Sequence, residues 1–159
     1  MSFVNTVVVT TTLLGSALIG GIFFAFSNFV MKALAQVPTE AGIKAMQSIN
    51  VVVLNPVFLG ALVGTAVLSL LVAGLAISNW SEPASVWYLS GALLYVVGTF
   101  LVTGIGNVPL NDQLADVTAT DLDAVLIWEH YPRRWTSLNT VRSVAALIAA
   151  MLFIIGLVR

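Results

Sequence analysis

Four long runs of apolar residues, separated by short polar stretches, form the main pattern of this sequence. A helix that crosses a bilayer needs about 20 mostly apolar residues, and each run meets that length. The pattern predicts transmembrane helices at about residues 4–31, 50–78, 85–106 and 136–158. We therefore expect an all-α fold: one integral membrane domain over residues 1–159, built as a four-helix bundle.

Two proline residues affect the predicted helices. Pro56 lies inside the second run, where it removes the amide that would bond the carbonyl of Val52, so we expect a kink there. Pro109 disfavours helical backbone at Val108, which places Asn111 in a turn below the bundle. The segment before residue 136 is expected to form a separate short helix at the membrane surface.

Composition supports a membrane location. Hydrophobic residues make up 59% of the chain and charged residues only 8%, against roughly a quarter charged in a soluble domain. The first run has no basic stretch before it and is longer than a signal-peptide core, so we interpret it as a helix of the mature protein. The absence of cysteine excludes disulfides and thiolate metal sites. A net charge of −1 gives no reason to expect a nucleic-acid partner.

Basic residues indicate an orientation. Lys32 and Lys44 lie in or beside the first loop and Arg133 and Arg134 in the third, whereas the second loop has none. Because cytoplasmic loops carry an excess of Lys and Arg, we expect loops one and three inside and both termini outside a plasma membrane.

The densest cluster of polar and aromatic side chains is WEHYPRRWTSLNTVRS, residues 128 to 143. Trp135, Asn139 and Arg142 are spaced at i, i+4 and i+7, so they share one stripe of a helix. A cation at that depth costs about 2.5–3.5 kcal/mol on insertion scales. We therefore expect Arg142 to point into the bundle, toward Glu129 or the carbonyls near Pro56. The competing interpretation is a polar clasp that only joins helices, with the aromatic residues acting as interfacial anchors.

Amide side chains from other helices are predicted to reach the same membrane level. Unpartnered amides are unfavourable in lipid, so they must bond one another or a ligand. The expected pocket is lined by Asn50, Asn55, Asn107, Asn111, Trp135, Asn139 and Arg142.

Metal chemistry has little support in the sequence. His130 is the only histidine, which excludes histidine-rich iron, copper or zinc centres. Neighbouring Glu129 and His130 would point about 100° apart on a helix, which suits shared ligation poorly. We expect no metal and no cofactor.

Several stretches together resemble a known family. They are FFAFSNFVMKAL, the segment P-x-x-x-G-I-K-A-M-Q-S-I-N with V-x-L-N-P-V-F, GNVPLND, and W-x-x-Y-x-x-x-W-x-x-x-N-x-x-R, spanning residues 23 to 142. This combination is similar to the DUF1772, or anthrone oxygenase, family. The resemblance implies a small four-helix membrane protein, and in some fungal members the oxidation of anthrones to anthraquinones.

The implied reaction assigns expected roles. A flat hydrophobic aromatic substrate would be bound, lose a carbon-bound proton, and react as an anion with O2. Histidine is the side chain that normally titrates near neutral pH, so His130 is the default base. The expected catalytic residues are Trp135, Asn139, Arg142, Asn107 and His130. The expected substrate-binding residues are Asn111, Asn50, Asn55, Trp128 and Tyr131.

Two other classes of function stay open at this point. A small transporter would use the region of Pro56 as a gate, but the polar residues cluster at one end and the last helix has none beyond Ser143. An accessory subunit would bind a small molecule or partner without catalysis. The sequence also leaves open the association of several copies of the chain.

The predicted orientation can be tested with reporter fusions at Gln36, Ser81 and Thr118. These should report inside, outside and inside respectively, because the basic loops are retained in the cytoplasm. An inside signal at Ser81 would contradict the predicted topology.

Overall fold

A computed structural model describes residues 3–159, and this part of the chain forms five helices and no strand. Four of them are long and apolar enough to cross a membrane. The fifth is a shorter helix of 14 residues. The helices are α1 (Phe3–Leu34), α2 (Thr39–Val52), α3 (Pro56–Ser78), α4 (Ser85–Ala115) and α5 (Leu122–Leu157). The predicted all-α fold with four spanning helices is confirmed, and the chain is a multi-pass membrane protein.

The four long helices form a closed ring. α1 packs on α3, α3 on α4, α4 on α5, and α5 back on α1. Hydroxyl groups join α1 to α5 near the middle of the bundle: Ser16 Oγ donates to the carbonyl of Ala146 at 2.8 Å, and Ser143 Oγ donates to that of Gly20 at 2.9 Å. We call the end of the bundle that carries α2, Lys32, Lys44, Arg133 and Arg134 the basic end.

The region of Pro56 is a helix break rather than the predicted kink. The second span begins at Pro56, not at residue 50, and α2 ends at Val52. Asn55 has extended backbone and caps α3, its Oδ1 accepting from the amides of Val57 and Phe58 at 3.1 and 3.0 Å. Proline at the first helical position loses no intrahelical hydrogen bond. Two separate helices are therefore favoured over one bent helix.

Pro109 does not end α4, which continues to Ala115 instead of stopping at residue 106. A π-helical turn, Thr103–Asn107, precedes the last α-helical segment, Val108–Ala115. Pro109 falls in the first turn of that segment, where its missing amide costs little. Asn111 is therefore helical, not part of a turn below the bundle.

One further predicted boundary was wrong. α5 starts at Leu122 rather than at residue 136, so the predicted surface helix and the last span are one helix of 36 residues that contains Pro132.

α2 lies beneath α4 at the basic end. Gln47 Nε2 donates to the carbonyls of Leu114 and Val117 at 2.7 and 2.9 Å, which satisfies carbonyls at the end of α4.

Close contact between α4 and α5 requires a residue without a side chain at position 98. A Cβ atom built on Gly98 would lie 2.6 Å from the Cβ of Ala145, which is attached directly to the backbone and cannot rotate away. Small residues at such crossings are the usual basis of helix packing in membranes.

We expect Gly98→Ala to lower the free energy of unfolding by about 1–3 kcal/mol, because α4 and α5 must separate to admit the methyl group. The matched control is Gly74→Ala on α3, where an added Cβ meets no atom within 4 Å. Thermal unfolding of both variants in detergent, followed by circular dichroism, checks this. Equal stability of the two variants would contradict the packing argument.

Candidate functional site

Four of the predicted site residues, Asn50, Asn111, Trp135 and Arg142, line a cavity in the half of the bundle nearer the basic end. It has a volume of about 340 Å³ and is lined by residues from all five helices, a size within the usual range for ligand pockets. Its wall is mainly apolar, with five aromatic side chains: Phe23, Phe26, Phe58, Phe100 and Trp135. A smaller cavity of about 210 Å³ lies near the loop between α3 and α4 and contains none of the predicted residues.

Arg142 is the one charged residue among those that line this cavity. It is only 4% exposed, and its Nη2 donates to Asn139 Oδ1 at 2.7 Å while Nη1 donates to Thr103 Oγ1 at 3.2 Å. The guanidinium carbon lies 4.0 Å from the ring centroid of Phe23 and 5.3 Å from that of Trp135. Such cation–π contacts stabilise a desolvated cation by about 0.5–2 kcal/mol.

The predicted partner of Arg142 was wrong. Its hydrogen-bond partners are Asn139 and Thr103, not Glu129 or the carbonyls near Pro56. Glu129 is exposed, and it lies 13 residues earlier on the same helix, about 20 Å along the axis. No carboxylate pairs with Arg142 in residues 3–159, and its Nε has no hydrogen-bond partner there. The predicted burial of the guanidinium inside the bundle is confirmed.

Asn139 is fully buried and holds Arg142 in place. Its Nδ2 donates to the carbonyl of Phe23 at 2.6 Å and to Ser27 Oγ at 2.7 Å, and its Oδ1 accepts from Arg142. These contacts join α5 to α1 beside the π-helical turn Phe26–Val30. Asn139 is absent from the cavity wall. Because both ends of its amide are engaged within the protein, it acts on a ligand only through Arg142.

Asn111 supplies a second hydrogen-bond donor to the cavity. Its Oδ1 accepts from the Tyr131 hydroxyl at 2.9 Å and from Trp135 Nε1 at 2.8 Å. Because both of these donors bind Oδ1, the orientation of the Asn111 amide group is fixed. Its Nδ2 makes no hydrogen bond within the described residues, and Asn111 lines the cavity. Asn50 lines the cavity from α2 and interacts with the Tyr131 side chain.

Asn107 supports the site from behind the cavity wall. It is 1% exposed, and its Nδ2 donates to the carbonyl of Trp135 at 3.1 Å. Its Oδ1 has no partner within residues 3–159. Nearby, Thr99 Oγ1 donates to the carbonyl of Arg142 at 3.1 Å. These contacts join α4 to the stretch of α5 that carries the site.

Besides Asn107, Asn139 and Tyr131, three further predicted residues are absent from the cavity wall. His130 is exposed and lines a separate surface groove with Arg133 and Arg134, so it cannot act as a base on a ligand beside Arg142. Asn55 is exposed and serves as the cap of α3. Trp128 is buried against Tyr131, with ring centroids 5.6 Å apart and planes at 13°, outside the cavity.

Sequence reasoning missed Thr103 and the phenylalanine side chains. The spacing of Thr99, Thr103 and Asn107 put them on one face and could have identified Thr103 as a partner for Arg142. The phenylalanines carry no such signal, because apolar residues occur throughout the spans.

In the described part of the chain, no three His, Cys, Asp or Glu side chains come together as a metal site.

The site therefore combines flat apolar walls with hydrogen-bond donors at one end. Asn111 Nδ2 is available there, Arg142 Nε is buried without a hydrogen-bond partner, and the cation has no counter-anion in residues 3–159. A ligand that suits it has aromatic rings and an oxygen that carries negative charge.

The roles of Arg142 and Asn139 predict different effects on stability. Arg142→Met should change the free energy of unfolding by no more than about 2 kcal/mol, because removal of an unpaired buried cation compensates for the lost hydrogen bonds. Asn139→Leu should cost about 2–4 kcal/mol, because it leaves the charged Nη2 of Arg142 without an acceptor. Chemical unfolding in detergent measures both, and a greater loss for Arg142→Met would contradict this account.

The chain matches a known protein family. The family described as anthrone oxygenase matches residues 51–152, which span α3, α4 and most of α5 and include Asn111, Trp135, Asn139 and Arg142. No curated protein and no solved structure matches the chain. The matched segment covers more than half of the sequence, and the chain belongs to the anthrone oxygenase family.

Proposed function

We propose that this protein binds a planar, hydroxylated aromatic compound of the anthrone type and promotes its oxidation by O2 to the quinone. The observation that carries the proposal is Arg142, a buried cation with no counter-anion in residues 3–159, placed at the end of an aromatic cavity. A desolvated cation in that position favours an anionic ligand, which supplies the missing charge.

The reaction requires one ionisation before oxygen can react. Loss of a proton from the methylene carbon of an anthrone leaves an anion whose charge lies largely on the oxygen of the former carbonyl group. That oxygen would accept hydrogen bonds from Arg142 and Asn111, while Trp135 and Phe23 contact the rings. Because these donors are held in place before the charge develops, they favour the anion over the neutral ligand.

Oxygen then completes the conversion. The anion transfers electrons to O2, a carbon–oxygen bond forms at the former methylene carbon, and protonation gives a hydroperoxide. Loss of the second hydrogen from that carbon breaks the oxygen–oxygen bond, leaving a carbonyl group and releasing water. One anthrone and one O2 give one anthraquinone and one water, so the step needs no further oxidant.

The role of the protein in this scheme is electrostatic. Of the residues that line the cavity, none carries a carboxylate or an imidazole, so the proton acceptor lies outside the wall. Arg142 and Asn111 would make the ligand more acidic. The excess of Lys and Arg at the basic end would place this cavity on the cytoplasmic side.

Arg142→Met should reduce the oxidation of 1,8-dihydroxyanthrone by about 10²–10³-fold, the usual loss when a transition-state donor is removed. Arg142→Lys should keep part of the activity because the charge remains. Oxygen consumption by proteoliposomes, corrected for empty liposomes, provides the measurement. Arg134→Gln is the matched control, since Arg134 is exposed at the same end and lies outside the cavity wall.

Binding should be measured in parallel through quenching of tryptophan fluorescence by 1,8-dihydroxyanthraquinone. Quenching that Trp135→Phe diminishes, without any oxygen consumption, would favour the accessory, ligand-binding alternative. Full oxidation by Arg142→Met would overturn the proposed role of the cation.

A further inference from the structure

The wall of the cavity continues onto the lipid-facing surface between α3 and α4. Two of its residues on α3, Leu59 and Val63, are 36% and 42% exposed, and two on α4, Leu101 and Ile105, are 46% and 80% exposed. All four lie in helices that are long and apolar enough to cross a membrane, so their exposed side chains are suited to contact with acyl chains rather than water. The cavity therefore has an apolar mouth at membrane depth.

The mouth exists because α3 and α4 separate toward the basic end. α3 packs against the first part of α4, Ser85–Leu93 and Leu94–Leu101, whereas the turn Thr103–Asn107 packs against α5. At the start of α3, the break before Pro56 directs the chain away into α2. The separation is thus built into the backbone of both helices.

Gly104 keeps this mouth open. It lines the cavity on α4, is exposed, and a Cβ atom added to it would meet no atom within 4 Å. A large side chain there would extend into free space at the mouth without displacing protein atoms.

The opposite side of the cavity is closed by α2. Met46 is fully buried in the wall, and Ile49 and Asn50 from the same helix lie beside it. Gln47 fastens α2 to the end of α4 through two hydrogen bonds. This packing covers the face of the cavity that points toward the basic end.

From these features we propose that the cavity is loaded sideways from the bilayer through the gap between α3 and α4. The occupant is a membrane-dissolved aromatic molecule that enters with its oxygen leading toward Arg142 and keeps its apolar edge toward the mouth. The substrate class rests on the proposed function, but the opening itself does not. An apolar mouth with the donors at the inner end would favour lipophilic ligands over water-soluble aromatic acids.

Lipid cross-linking tests the opening without any aromatic ligand. The full-length protein is reconstituted in phosphatidylcholine vesicles whose acyl chains carry a diazirine, irradiated, and mapped by mass spectrometry. We expect labels on the half-buried wall residues Phe58 and Phe100 as well as on the outer surface. Gly104→Phe should remove the wall labels, whereas Gly74→Phe, also exposed and with free space around it, should retain them. Val63→Trp narrows the mouth from α3 and should act as Gly104→Phe does.

Labels confined to outward-facing residues, or wall labels unchanged in both mouth variants, would overturn lateral entry.

Ligand kinetics distinguish this result from failure of the proposed function. Gly104→Phe should slow the association of 1,8-dihydroxyanthraquinone by about tenfold or more while the unmodified protein still binds it. Lipid labels in the wall without any quinone binding would retain the opening and reject the proposed substrate class. Quinone binding at an unchanged rate in both mouth variants would reject the opening alone.

Discussion

The presence of an unpaired guanidinium inside a membrane-spanning bundle is the constraint on which the rest of this structure depends. Two nitrogens of Arg142 donate hydrogen bonds, and two aromatic rings lie within 5.3 Å of its guanidinium carbon, but it has no carboxylate partner in residues 3–159. Polar contacts alone do not neutralise a charge, so the arrangement stays electrostatically incomplete until an anion is present.

Irregular backbone surrounds this residue on two helices. The π-helical turn Phe26–Val30 lies beside Asn139, and Leu94–Leu101 and Thr103–Asn107 place Thr99 and Thr103 against Arg142. π-helical turns often occur at functional sites, because they change the direction of side chains without ending a helix. In this bundle they lie, together with the break before Pro56, around the cavity.

The sequence predicted the burial of one polar stripe on α5 better than the helix boundaries around it. Trp135, Asn139 and Arg142 were placed on one buried stripe because helical periodicity and the cost of a lipid-exposed cation both require it, and all three are buried. The helix boundaries at Pro56 and Pro109 were wrong, because proline marks a perturbation but does not say whether a cap or a π-helical turn absorbs it. Glu129 was named as a possible partner of Arg142, and His130 as the base because histidine titrates near neutral pH. On a single helix both residues lie far from Arg142 along the axis.

Because Arg142 lies deep in the bundle, an ionised ligand beside it would experience part of the voltage across the membrane. Along α5 it lies about 12 Å beyond Arg134, over a third of an apolar layer about 30 Å thick. The full transmembrane voltage is worth about 2.3 kcal/mol per elementary charge for each 100 mV, and an anion formed at Arg142 experiences the corresponding fraction. A proton that leaves such a ligand would cross the rest of the transmembrane voltage on its way to one of the two membrane surfaces. Ionisation of the proposed substrate in this cavity would therefore be coupled to the voltage across the membrane that holds the protein.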